Sequence, residues 1–183
     1  MKLAETPLAG VHRIVPDRHA DARGFFARVY CERTLQGWGL HSHYVQHSIS
    51  FNEAKGTLRG LHLQRAPHAE IKLVQCVRGA IFDVIVDVRQ DSPNFGRWIG
   101  IEPSAAAGEI LYVPEGFAHG FVTLTDEATL HYCISVEYKP SAASGLRWND
   151  PDIGIAWPVE PRIISDRDRA LMSLAEFRAS VSA

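Results

Sequence analysis

The sequence predicts an all-β domain, a sandwich or a barrel-like jelly roll, on three observations. Between residues 71 and 138, short apolar runs alternate with turn residues; no long helical period interrupts them; and the clearest run alternates with a period of two. Closely spaced strands of this kind bury their apolar faces by packing as two sheets. At 183 residues the chain has about one ordinary domain's length, so residues 1–183 are expected to form one unit whose core needs no disulfide or structural metal.

Taken in chain order, the stretch carrying His41, His43 and His47 reads as a pairing strand that leads toward a pocket, with Gln46 reaching it. Extended backbone would also put the three histidines on one face, where three imidazoles could hold zinc. Residues 71–77 form a strand, Arg78-Gly79 a tight turn and residues 81–88 the next strand, which together make an antiparallel hairpin. In the second of these, Phe82, Val84, Val86 and Val88 point one way, and Asp83 and Asp87 share the other face with Ile81 and Ile85. Further strands are expected at residues 97–102, 109–113, 120–124 and 129–138, separated by Pro103-Ser104, Pro114-Glu115-Gly116 and Thr125-Asp126. The Pro-rich residues 151–161 read as an extended crossing segment. Ser165, with Leu171, Leu174 and Phe177 spaced three apart behind it, predicts a short amphipathic helix opened by a capping serine, and the last residues are expected to fray.

Composition narrows the function. Hydrophobic residues at 46% and charged residues at 22% fit a globular protein rather than a disordered or fibrous one. Nineteen Lys and Arg against twenty-one Asp and Glu leave a formal charge of -2, so no basic field exists to hold a nucleic acid, and an anionic ligand must be met by a few placed cations. The start, Met1-Lys-Leu-Ala-Glu-Thr-Pro7, lacks the apolar core of a secretory signal and no apolar run reaches bilayer length, so a cytoplasmic protein without a membrane partner is expected. Cys31, Cys76 and Cys133 are odd in number and two lie in apolar runs, which favours buried thiols over a disulfide framework or a nucleophile.

The segments Gly56-Thr-Leu-Arg-Gly-Leu-His-Leu-Gln64 and Gly108-Glu-Ile-Leu-Tyr-Val-Pro-Glu-Gly-Phe-Ala-His119 resemble the two motifs of the cupin superfamily. Metal-binding cupins supply two His and a Glu from the first motif. Here Gln64 replaces the second His and Glu70 lies one position beyond the usual acid, so His62 and His119 are left with an amide between them and no metal is expected.

A longer chain of motifs is more specific. Asp21-Ala-Arg-Gly-Phe-Phe26, Gly56 to His62, Lys72-Leu-Val74, Phe82-Asp-Val84, Pro114 to Phe121, Tyr132, Tyr138, Trp148-Asn-Asp-Pro151 and Ile164-Ser-Asp-Arg-Asp168 occur in this order. Together they resemble the dTDP-4-dehydrorhamnose 3,5-epimerase family from about Asp21 to Asp168. The resemblance implies a cupin-type jelly-roll barrel with short peripheral and C-terminal helices, and a homodimer with strands exchanged or paired across subunits. It also implies a cofactor-independent epimerase in dTDP-rhamnose and polysaccharide biosynthesis, acting on a nucleotide-linked 4-keto-6-deoxyhexose at carbon 3, carbon 5 or both. His62 would be the base and Asp168 its hydrogen-bond partner; Lys72 would sit at the ketone oxygen, and Tyr132 would return the proton from the opposite face. Arg23 and Arg59 would contact the nucleotide, Gln46 and His119 would line the pocket, Tyr138 would stack on the base, and Arg167 would stand in a substrate-binding position.

The residues alone are consistent with that chemistry. A hydrogen beside a ketone is acidic only when the enolate is stabilised, which requires a base, an electrostatic clamp and an opposed proton donor. Tyr132 and Tyr138, six apart, would point the same way on a regular strand and so into one pocket. Asp168, three residues after Ser165, is equally a helix-start acid, and the two roles are compatible.

The sequence departs from the family at Arg28, where an acid is expected, at Ser48 for Asn, at Leu63 for Tyr, near Ala143 and Ser144 for Glu, and at Arg167 for Lys. These departures predict an altered specificity shell, with a nucleotide or sugar different from dTDP-4-dehydro-6-deoxyglucose. Two other functions stay open at this stage: a metal-dependent cupin oxygenase or isomerase, and a non-catalytic sugar-nucleotide binder.

Overall fold

The computed structural model describes residues 1–181. In chain order its elements are β1 (Lys2–Glu5), β2 (His12–Val15), β3 (Arg18–Asp21), β4 (Gly24–Ala27), α1 (Glu32–Gly37), β5 (Gln46–Asn52), β6 (Leu58–Gln64), β7 (Lys72–Arg78), β8 (Ile81–Asp87), β9 (Trp98–Ile101), β10 (Ile110–Val113), β11 (Phe117–Thr123), β12 (Ala128–Ile134), β13 (Ala143–Gly145), α2 (Asp166–Arg169) and α3 (Leu174–Val181). One sheet runs β1-β2-β10-β7-β12-β5 and the other β13-β6-β11-β8-β9, and β3 pairs with β4 as a separate ribbon. All pairings between these strands are antiparallel. This is the cupin-type jelly roll that the sequence predicts.

The core between the sheets is built from Val74, Ile81, Ile85, Leu111, Phe117, Phe121 and Leu130. Phe82, Val84, Val86 and Val88 turn to the other side of the five-stranded sheet, where Leu174 and Phe177 of α3 cover them. β8 therefore buries both faces, and the alternation read in the sequence holds along it. Cys76 and Cys133 are buried free thiols, as expected, and Cys31 is a half-buried one.

The hairpin predicted across Arg78-Gly79 is not there. β7 pairs with β10 and β12 in one sheet, whereas β8 pairs with β11 and β9 in the other. The two-residue link is a corner between sheets. Gly79 adopts φ +74°, and a Cβ there would press on Thr125 Oγ1, whose hydroxyl accepts the Ala80 N–H at 3.1 Å. A short link fits a hairpin or a corner equally well, and only the partners of each strand separate the two.

Other boundaries move for local reasons. β12 stops at Ile134 rather than at residue 138, because the chain beyond it is held by two glutamines. Gln64 Oε1 accepts the Lys139 N–H, its Nε2 donates to the Glu137 carbonyl, and Gln46 Oε1 accepts the Tyr138 N–H. β11 starts at Phe117, three residues before the expected strand, and the histidine stretch becomes a strand only from Gln46. The predicted C-terminal helix is two helices. Ser165 Oγ does cap the first by accepting the Asp168 N–H, but Ser173 and Glu176 then form a reciprocal box that opens α3. That Ser-x-x-Glu spacing was present in the sequence. The expected fraying of the last residues concerns positions outside the described residues. Among those described, no helix is long and apolar enough to cross a membrane.

Candidate active site

A cavity of about 390 Å³ opens between the sheets, lined by Arg59 and His62 of β6, Lys72 of β7, His119 and Phe121 of β11, and Tyr132 and Ile134 of β12. Ser48, Ile49 and Ser50 of β5 and Glu70 complete its wall, and Ser165, Arg167 and Asp168 close it from the start of α2.

His62 lies directly across the ladder from His119, and β6 and β11 come unusually close beside them. Gly60 has φ +129°, and a Cβ on it would stand 2.5 Å from Gly120 Cα. No residue with a side chain fits there. The freed Gly60 N–H donates to Asp168 Oδ2 at 3.1 Å, while Asp168 Oδ1 meets His62 Nε2 at 2.7 Å. The carboxylate is thus fixed by strand backbone and by the imidazole, and the Asp168 backbone N–H donates to the Ser165 hydroxyl. Both readings of Asp168, helix-start acid and histidine partner, are realised in one residue.

Burial alone would raise the Asp168 carboxyl, but the His62 hydrogen bond and charge, with the Gly60 and Ser165 bonds, hold it below the usual 3.8. The stability this contributes is complete above the ordinary carboxylate range and is lost as pH falls through the lowered folded value. Asp168→Asn should therefore flatten the acid limb: in urea denaturation series the parent should lose stability below pH ~4 more steeply than the variant. Parallel acid limbs would contradict this electrostatic reading.

On the opposite wall, Lys72 is 7% exposed, its Nζ 2.9 Å from Glu70 Oε1 and 3.4 Å from the His62 carbonyl it donates to. Glu70, noted in the sequence only as a misplaced metal ligand, is the counter-ion of this lysine. His119 Nε2 meets the fully buried Asp83 at 2.9 Å, and the His119 ring abuts Tyr132 edge-on at a centroid distance of 6.0 Å. Burial first, and then the charge of Asp83, push the Tyr132 phenol well above its ordinary value, with Arg59 pulling partly the other way. Tyr132 is therefore a protonated phenol, able to donate. Arg59 is braced by Asn52, whose Oδ1 accepts its Nε–H at 2.7 Å. Asp83 and Asn52 were not singled out by role, because a strand acid or amide alone does not tell which cation or ring it will hold.

The structure thus gathers His62, Asp168, Lys72, Tyr132, Arg59, His119 and Arg167 at one cavity. Tyr138 does not share the face of Tyr132, since it lies beyond the strand end and is exposed; it reaches the site only through its hydroxyl, which accepts from Arg167 at 3.5 Å. Gln46 holds the Tyr138 backbone and does not line the cavity. Arg23 sits at the tip of the β3–β4 ribbon, paired with Asp21 at 2.5 Å and almost fully exposed, away from the cavity of its own chain. Of the departures from the family pattern, only Ser48 and Arg167 reach the cavity. Leu63 is buried on the other side of its strand, and Arg28 lies in a surface depression beside Met1 and His19, so within one chain both stand apart from the cavity.

The donor set does not fit a cupin metal. His62 and His119 each spend Nε2 on a carboxylate, and Gln64 spends its amide on the backbone around Glu137 and Lys139.

A family profile described as dTDP-4-dehydrorhamnose 3,5-epimerase matches residues 5–176. A relative of that name from Methanothermobacter thermautotrophicus is 42% identical over 96% of this chain and 95% of its own. A dTDP-4-dehydrorhamnose 3-epimerase from Streptomyces niveus is 37% identical over 97% of this chain and 86% of its own. Among solved structures, the dTDP-4-dehydrorhamnose 3,5-epimerase of Bacillus anthracis with TDP and PPi bound superimposes with a TM-score of 0.91 at 42% identity, covering 94% of this chain and 98% of that one.

Proposed function

Because the chain belongs to the dTDP-4-dehydrorhamnose 3,5-epimerase family and is an isomerase, we propose that it epimerises a dTDP-linked 4-keto-6-deoxyhexose at carbon 3, carbon 5 or both through His62 and Tyr132. The carrying observation is that the His62–Asp168 pair, the Tyr132 phenol and Lys72 line the same cavity.

Asp168 on Nε2 fixes the imidazole so that Nδ1 is the atom offered to a carbon-bound hydrogen, and it stabilises the imidazolium formed on abstraction. The electron pair moves onto the ketone oxygen, where the Lys72 ammonium offsets the enolate charge. The Tyr132 hydroxyl then protonates the carbon from the other face, and the phenolate takes up a proton from solvent as the His62 imidazolium releases one to it. The substrate's own ketone is the electron sink, so this route asks for no cofactor. The retention of base, clamp and donor together weighs against a binder without activity.

Arg59 and Arg167 line the cavity and would meet the diphosphate. Arg23 would complete the nucleotide site from a second copy, for Phe25 and Phe26 beside it on the ribbon are 59% and 73% exposed, a surface that pairing would cover. A homodimer is thus part of the proposal, and sedimentation at micromolar concentration should give twice the chain mass; a monomer would refute it. Since few family departures reach the cavity, calorimetric titration with dTDP, CDP, UDP and GDP should find dTDP the tightest. Preference for another nucleotide would overturn the substrate named here.

A further inference from the structure

β12 carries Tyr132 into the cavity, and the period of two along a strand turns its neighbours His131 and Cys133 to the opposite face of the sheet. On that face Cys133 lies directly across the ladder from His47 of β5. The donor atoms of His47, His131 and Cys133 all lie within 4.8 Å of one another. A tetrahedral zinc with Zn–N of about 2.05 Å and Zn–S of about 2.3 Å sets adjacent nitrogen and sulfur donors about 3.6 Å apart. Cys133 Sγ stands 3.6 Å from His47 Nδ1. The His131 ring, whose centroid is 5.4 Å from that of His47, supplies the third side.

We propose that His47, His131 and Cys133 form a binding site for a divalent cation of the zinc class on the outer face of the six-stranded sheet. The site is independent of the epimerase reading and shares no residue with the cavity. It also differs from the zinc set read along the sequence: His41 and His43 precede the strand and bond to each other, ring nitrogen to carbonyl, and the partners of His47 come from β12 instead.

Two imidazoles and a thiolate are a donor set that zinc prefers over magnesium or calcium. Cys133 is buried while His47 is exposed and His131 half-buried, so the cluster opens to solvent on its imidazole side and leaves room for water as a fourth ligand. On binding, the sulfur–metal bond replaces the S–H bond and the proton leaves to solvent.

The test titrates the full metal-free chain with Co2+, followed by Zn2+ displacement. One equivalent of Co2+ should produce a thiolate-to-cobalt charge-transfer band in the near ultraviolet together with tetrahedral d–d bands, both quenched by Zn2+. Cys133→Ser should abolish the charge-transfer band. His47→Asn, at an exposed position, should weaken binding at least about tenfold. A titration without the thiolate band would overturn the proposal, as would a band that survives in Cys133→Ser or an affinity unchanged in His47→Asn.

Discussion

His62→Ala should lower kcat by about a thousandfold or more, in keeping with the 10²–10⁴ contribution of a positioned general base, while KM changes little. The reason lies in the local architecture. The imidazole is held by Asp168 at 2.7 Å, and Asp168 is itself anchored on the Gly60 N–H and the Ser165 hydroxyl, so the base is fixed before substrate arrives. Lys72 and Arg59, the cations that would hold ketone oxygen and diphosphate, sit on other residue positions and stay in place when the ring is removed. Steady-state kinetics with the dTDP-linked keto sugar checks this. A kcat within a few-fold of the parent would remove His62 from the chemistry, and a loss confined to KM would make it a binding residue.

Tyr132→Phe should lower the rate of inverted product by about a hundredfold or more and leave thermal stability nearly unchanged. The hydroxyl is the only group deleted, and the ring keeps its edge contact with His119 and its place beside the core between the sheets. Burial and Asp83 hold the phenol protonated, so what the variant loses is a proton donor rather than a charge. Comparing product formation with melting temperature separates the two roles: a large drop in stability would make Tyr132 chiefly a packing residue.

Much of the fold was legible because β8 and its neighbours alternate cleanly, and because Ser165 announced the first turn of α2. The topology was less so. Arg78-Gly79 reads as a hairpin until the hydrogen-bond partners of β7 and β8 are known, and no local pattern encodes the choice of sheet. The pairing of His62 with Asp168 spans 106 residues of chain. Spacing could not have joined them, and it was the resemblance to a family that did so. The same distance in sequence hid Asp83 behind His119 and Asn52 behind Arg59. The shared face assigned to Tyr132 and Tyr138 failed because Gln46 and Gln64 bind the backbone after Ile134 and end the strand, a side-chain event that periodicity does not register. Arg23 lies outside its own cavity for a different reason: its ribbon pairs with neither sheet and is mostly exposed.

The division of labour across the sugar ring is tested most directly by incubating Tyr132→Phe with the dTDP-linked 4-keto-6-deoxyhexose in deuterated water and resolving the recovered sugar by proton NMR. Deuterium should enter at carbon 3 or carbon 5 with configuration retained, since His62 still removes the hydrogen and can return only what it holds to the face it came from. Inverted, labelled sugar at the parental rate, or recovered substrate with no label at either carbon, would contradict the account.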